Sequence, residues 1–299
     1  MINFHSLIII SLLSNFIFSI PLERRAIDAN LLATFNLYEQ YAAAAYCPTN
    51  NNSPNTKIVC SSGNCPLVEA ANTDTVIEFQ DSAGTDATGY LATDTTNNLI
   101  VLSFRGSESI RNYFTDLSFS LVSTDVCNGC LGLAGFWLSW LEVRDNVKAA
   151  VAIVAAANPS FKIVATGHSL GGAIATFAAA ELRNAGYTVD LVSFGAPRVG
   201  DRTTARHITN QNKGANYRIT HKNDPAPRLP PESFGYLHTS PEYYISNDNN
   251  QPVTTKDIRV CSGLGNSQCN AAWLIFDLYA HAWYFNEISA CYPGDTIEV

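Results

Sequence analysis

The chain has 299 residues, with 18 Lys+Arg against 26 Asp+Glu, a formal net charge of -8, 46% hydrophobic residues and 15% charged ones. This is the composition of a compact folded protein rather than a disordered one, and the length can bury a sizeable core without a metal to hold it. An acidic chain with so few charges has no basic stripe to neutralise phosphates, which excludes nucleic acid as a partner.

The first twenty residues carry no Asp, Glu, Lys or Arg and give way at once to Pro21-Leu22-Glu23-Arg24-Arg25. A terminal apolar run of this kind predicts a secretory signal peptide over 1–19. A short propeptide over 20–25 would end at Arg24-Arg25, leaving one domain over 26–299. No later stretch reaches the ~18 apolar residues of a membrane span. The expected destination is therefore secreted and extracellular.

Eight cysteines, an even number, fit that oxidising destination. Only Cys127 and Cys130 show a Cys-x-x-Cys spacing, and no second pair or adjacent histidine completes a zinc set. Disulfides are expected instead. Short separations favour local pairs Cys60–Cys65, Cys127–Cys130 and Cys261–Cys269, which leaves Cys47 and Cys291 to join the two ends. In the chain-entropy account such a long closure contributes roughly 5 kcal/mol.

In chain order, Leu31, Phe35, Tyr38 and Ala42 recur at helical spacing and predict an amphipathic helix from about 27 to 46. Short β-rich runs follow at 76–79, 89–91 and 99–104, and Asn97-Asn98 favours a hairpin between the last two. The pattern then alternates. A helix is expected from Leu138 to Ala157, a strand over 161–166, a helix from Leu170 to Asn184 closed by Gly186, and a strand over 189–194. Strands alternating with helices predict a largely parallel sheet covered by helices, in one domain.

Between the strand at 161–166 and the helix at 170 stands Gly167-His168-Ser169-Leu170-Gly171, a G-x-S-x-G sequence at a strand-to-helix turn. That context is a nucleophile elbow, in which a strained turn lifts a serine hydroxyl above the sheet edge. A serine needs a base to accept its proton and a carboxylate to orient that base, in the chain order Ser, Asp or Glu, His. His207 falls in a polar helical stretch and His221 inside the strand at 217–221, leaving His238 and His281. Asp201 and Asp224 both follow strands. Residue patterns by themselves separate neither pair.

Gly167 to Ala173, Phe194-Gly-Ala-Pro-Arg-Val-Gly200, Tyr217 to Asp224, Pro227 to Pro231 and Ala280-His-Ala-Trp-Tyr284 together resemble the secreted fungal class 3 lipases of the Thermomyces type. The resemblance runs from about Leu31 to Cys291. It implies an α/β-hydrolase fold and assigns the acid to Asp224 and the base to His281, with His238 at a non-catalytic position. The residue after the nucleophile supplies one oxyanion donor through its backbone N–H, which is Leu170, and the resemblance places the second at Ser107.

Directly after Ser107, Ile110, Tyr113, Phe114 and Leu117 fall on one helical face. In the resembled lipases a short helix here is a lid that turns its apolar face to an oil surface. The expectation is a secreted ester hydrolase acting on acylglycerols, foremost triacylglycerols, in transient contact with a lipid surface. No cofactor, metal or obligate protein partner is required. The related feruloyl esterases share fold and triad but carry a more polar cover. A catalytically silent binding protein would have lost a triad member, and this chain has all three.

Overall fold

The computed structural model describes residues 27–80, 82–107 and 118–292. The signal peptide and propeptide expected over 1–25, and the stripe Ile110, Tyr113, Phe114 and Leu117, lie outside the described residues.

Helix α1 (Ala29–Ala44) begins where the Asp28 carboxylate accepts a hydrogen bond from Leu31 N at 2.8 Å, satisfying one of the N–H groups a helix start leaves unpaired. A one-turn helix α2 (Pro66–Ala70) follows. The strands are β1 (Thr73–Phe79), β2 (Gly89–Asp94), β3 (Leu99–Phe104), β4 (Leu121–Ser123), β5 (Leu131–Leu133), β6 (Lys162–His168), β7 (Val189–Phe194), β8 (Gly200–Asp201), β9 (Asn216–His221), β10 (Tyr236–Leu237), β11 (Glu242–Ile245) and β12 (Ile258–Cys261). The remaining helices are α3 (Ala134–Ala157), α4 (Leu170–Asn184), α5 (Arg202–Asn210) and α6 (Leu278–Ala282).

Eight strands form one sheet in the order β1-β2-β3-β6-β7-β9-β11-β12. From β3 to β11 every pairing is parallel, and antiparallel strands flank this centre on both sides. Alternate residues of β3 face opposite cores: Ile100, Leu102 and Phe104 pack with Trp140, Val147 and Phe177 of α3 and α4, while Leu99 and Val101 pack with Phe35 and Tyr38 of α1. Burial on both faces explains why β3 reads as an apolar run interrupted only by Ser103, whose hydroxyl donates to the Tyr41 carbonyl at 2.9 Å.

Helix α3 begins four residues before the expected Leu138. Phe136 and Trp137 are buried, with the Trp137 ring 5.3 Å from Phe177, and this packing extends the helix through Gly135 despite the poor propensity of glycine. The small antiparallel sheet β10-β8-β5-β4 and the strands β11 and β12 have no counterpart in the residue patterns. Runs of two to four residues are too short to display a period.

Four disulfides close the described chain, pairing Cys47–Cys291, Cys60–Cys65, Cys127–Cys130 and Cys261–Cys269. The sulfurs of Cys47, Cys60 and Cys291 lie within 4.8 Å of one another, but all three belong to disulfides and offer no thiolate to a metal.

Candidate active site

The carboxyl ends of β3, β6, β7 and β9 meet at one edge of the parallel sheet, where ligands bind in open α/β folds. Residues that follow these four strands, together with His281 of α6, build the site. After β6 the chain turns sharply at Ser169, which has φ 55° and ψ -126°, and enters α4. Gly171 permits this turn: a Cβ there would stand 2.1 Å from the Phe104 carbonyl oxygen. Ser169 N donates to the Phe194 carbonyl at 2.9 Å, so β7 helps hold the strained residue.

The Ser169 hydroxyl lies 2.9 Å from His281 Nε2, and His281 Nδ1 lies 2.9 Å from each carboxylate oxygen of Asp224. A carboxylate only accepts, so Nδ1 carries the proton and the Nε2 lone pair faces the serine. Asp224 accepts two further hydrogen bonds, from the Tyr284 hydroxyl at 2.6 Å and from Ala226 N at 2.8 Å. Burial and the adjacent carboxylate push the Tyr284 phenol well above its ordinary range, which keeps it a donor. The side chains of Ser169, Asp224 and His281 are all buried.

His168 braces the histidine from behind. Its Nε2 donates to the His281 carbonyl at 2.8 Å, its Nδ1 accepts from the Tyr46 hydroxyl at 2.7 Å, and its ring lies 4.5 Å from the His281 ring. Burial and the neighbouring His281 hold His168 well below the usual imidazole range, so it stays neutral.

The rival residues are occupied elsewhere. His238 is buried with Nε2 2.5 Å from the Pro227 carbonyl, and burial with the nearby Arg218 and Arg198 holds its ring neutral. Both ring nitrogens of His221 face backbone carbonyls, those of Ala280 and Asn247, each at 3.0 Å. His207 sits in the last turn of α5. Asp201 caps α5, accepting from Thr204 N at 2.9 Å.

Leu170 opens α4, so its N–H has no acceptor within the helix and lies at the positive end of the helix dipole. Ser107 follows Gly106, whose position is so close to the elbow that a Cβ there would meet the Ser169 Cβ at 3.1 Å. The structure thus gathers Ser169, Leu170, Asp224 and His281 and brings the Ser107 turn beside them.

Sequence reasoning overlooked Tyr46, His168 as a brace, Tyr284 and Gly195. Gly195, at φ 57°, leaves room for Asp224 and Tyr284, since a Cβ on it would stand 2.6 Å from the Tyr284 hydroxyl and 2.8 Å from Asp224 Oδ2. Tyr284 and His168 stand inside the motifs already quoted, whereas Tyr46 carries no local signal.

Residues 101–234 match the family described as Lipase (class 3), and residues 10–76 match the Lipase 3 N-terminal region. The chain is 43% identical over 274 residues to secreted mono- and diacylglycerol lipase A of Penicillium cyclopium, across 90% of this chain and 89% of that protein. It is 44% identical over 278 residues to secreted mono- and diacylglycerol lipase 1 of Fusarium solani, across 91% and 82% respectively. The crystal structure of the mono- and diacylglycerol lipase from Aspergillus oryzae superposes with a TM-score of 0.84 at 43% identity, covering 87% of this chain and 98% of that one. Sequence, fold and site therefore agree that the chain belongs to the class 3 lipases and is a carboxylic ester hydrolase.

Proposed function

We propose that this enzyme is secreted and hydrolyses mono- and diacylglycerols through an acyl-enzyme formed on Ser169. The observation that carries the mechanism is the placement of His281 between Ser169 and Asp224, at 2.9 Å from each. Ser169 Oγ attacks the ester carbonyl while His281 Nε2 takes its proton, and Asp224 orients and stabilises the imidazolium. The oxyanion is held by the Leu170 N–H, at the start of α4, and by Ser107, as donors aimed at the developing negative charge. His281 then returns the proton to the leaving alcohol. Water repeats the sequence on the acyl-enzyme and releases the fatty acid.

The names of the relatives at 43% and 44% identity favour partial glycerides over the triacylglycerols expected from the sequence, and both are described as secreted. The apolar spacing of Ile110, Tyr113, Phe114 and Leu117 supports action at a lipid surface. An assay on emulsified monoolein, diolein and triolein beside soluble methyl ferulate tests the reading. Fastest turnover is expected on the partial glycerides. Preference for triolein would restore the triacylglycerol reading, and preference for methyl ferulate would replace lipase by feruloyl esterase.

A further inference from the structure

The catalytic geometry places Asp224 on a loop whose backbone turns at Lys222, with φ 37°, directly after β9. Two carbonyls of this loop accept hydrogen bonds from a second, buried polar group. Asn270 Nδ2 donates to the Lys222 carbonyl at 3.0 Å and to the Asp224 carbonyl at 2.9 Å. Asn270 is 2% exposed. Its own backbone N–H donates to Glu242 Oε1 at 3.1 Å.

Glu242 is anchored in turn. It accepts from Arg218 Nη2 at 2.9 Å, Thr220 Oγ1 at 2.6 Å and Asn266 Nδ2 at 2.8 Å. It stands on β11, which pairs in parallel with β9, the strand that leads into Asp224. Cys269, the neighbour of Asn270, is bridged to Cys261 at the end of β12. Asn270 is therefore fixed to the sheet by a side-chain network and by a covalent bridge, and it spends both amide hydrogens on the loop that carries the triad carboxylate.

We infer that Asn270 is a positioning residue for ester hydrolysis: it sets the backbone of the loop at 222–224 and, through it, the direction in which Asp224 presents its carboxylate to His281. The inference rests on the triad assignment above. A primary amide suits the place chemically because one planar group supplies two donors to two carbonyls, a part-buried one at Lys222 and a buried one at Asp224. The isosteric aspartate has no donor when ionised and would set negative charge against both carbonyl oxygens and beside Glu242. The expected order of activity is therefore Asn, then Ser with one donor, then Ala, with Asp last. Simple space filling predicts the reverse for Asp and Ala.

The test uses soluble p-nitrophenyl butyrate with active sites counted by phosphonate titration, from pH 5 to 9, on Asn270→Ala, Asn270→Asp, Asn270→Ser, Asp224→Ala and the Asp224→Ala/Asn270→Ala double variant. For Asn270→Ala, kcat per titrated site should fall roughly ten- to a hundredfold, as misplacement of a catalytic group does, with KM changed less than about twofold. The acid limb of kcat/KM should move to lower pH, because a carboxylate held out of line stabilises the imidazolium less. In the Asp224→Ala background the same change should cost nothing further. Asn270→Ser keeps the comparison available should the alanine chain fail to fold. An Asn270→Asp enzyme at least as active as Asn270→Ala, or an equal loss in both backgrounds, overturns the inference. Wild-type kcat in Asp224→Ala would instead overturn the triad itself.

Discussion

Helices α4 and α5 each start straight after a strand, and the two starts are used in opposite ways. At α5, Asp201 is extended at φ -73° and ψ 178°, and its carboxylate accepts from Thr204 N, closing the helix end on itself. At α4, Ser169 is held at φ 55°, makes no capping hydrogen bond, and turns its hydroxyl to His281. Serine and aspartate are both favoured N-caps, so residue type does not decide the outcome. Backbone conformation does. The α5 start gains stability, whereas the α4 start keeps a side chain and helix N–H groups free for a developing negative charge.

Ser169→Ala makes the strongest test of that contrast. Activity should fall by about a millionfold in kcat, leaving what oxyanion binding supplies, while the melting temperature stays near that of the wild type because no cap is lost. Residual turnover above roughly a thousandth of wild type would show that the α4 start does not carry the nucleophile.

Acidification should separate the two ends by pH. His168, the residue before the elbow, stays neutral in the fold while the unfolded chain takes up a proton near 6.5, so its contribution to stability is lost as pH falls below that value. Donors from Thr204 and Leu131 hold the Asp201 carboxyl below its usual 3.8 despite partial burial, so its contribution persists until pH falls below that range. Urea unfolding at pH 7.5 and 5.5 should show a loss of stability that shrinks by about 1 kcal/mol in His168→Gln. An unchanged pH dependence in that variant would mean that the buried imidazole is not the group responsible.

Asp201→Ala has the smallest expected effect. Loss of the cap should destabilise the fold by about 1 kcal/mol in urea titration and leave kcat and KM on a soluble ester unchanged. A loss of activity beyond about threefold would return Asp201 to contention as the triad carboxylate.

Both the α4 start and the sheet around it are legible in the amino-acid sequence. The elbow announces itself because its glycines, serine and flanking strand and helix are contiguous, and the parallel centre of the sheet because β3, β6 and β7 are buried on both faces and read as apolar runs. The choice between Asp201 and Asp224 is not legible from the residues alone, since both read as following strands; in the structure Asp201 ends β8 and caps α5, whereas Asp224 accepts from His281. Tyr46 and Asn270 are invisible for another reason. Tyr46 reaches His168 across 122 positions and Asn270 reaches Asp224 across 46, so no local window contains both partners.

By itself, then, the sequence determined the class of fold and, through its elbow and family motifs, the candidates for nucleophile, acid and base, because periodicity and turn chemistry act over a few neighbouring residues. Only the tertiary structure decided which buried polar groups support them. Packing α1 against one face of the sheet delivers Tyr46 to His168, and the parallel pairing of β9 with β11 sets Glu242 and Asn270 behind Asp224. Buried donors and acceptors must find partners wherever the chain brings them, and that requirement is met across the fold rather than along the sequence.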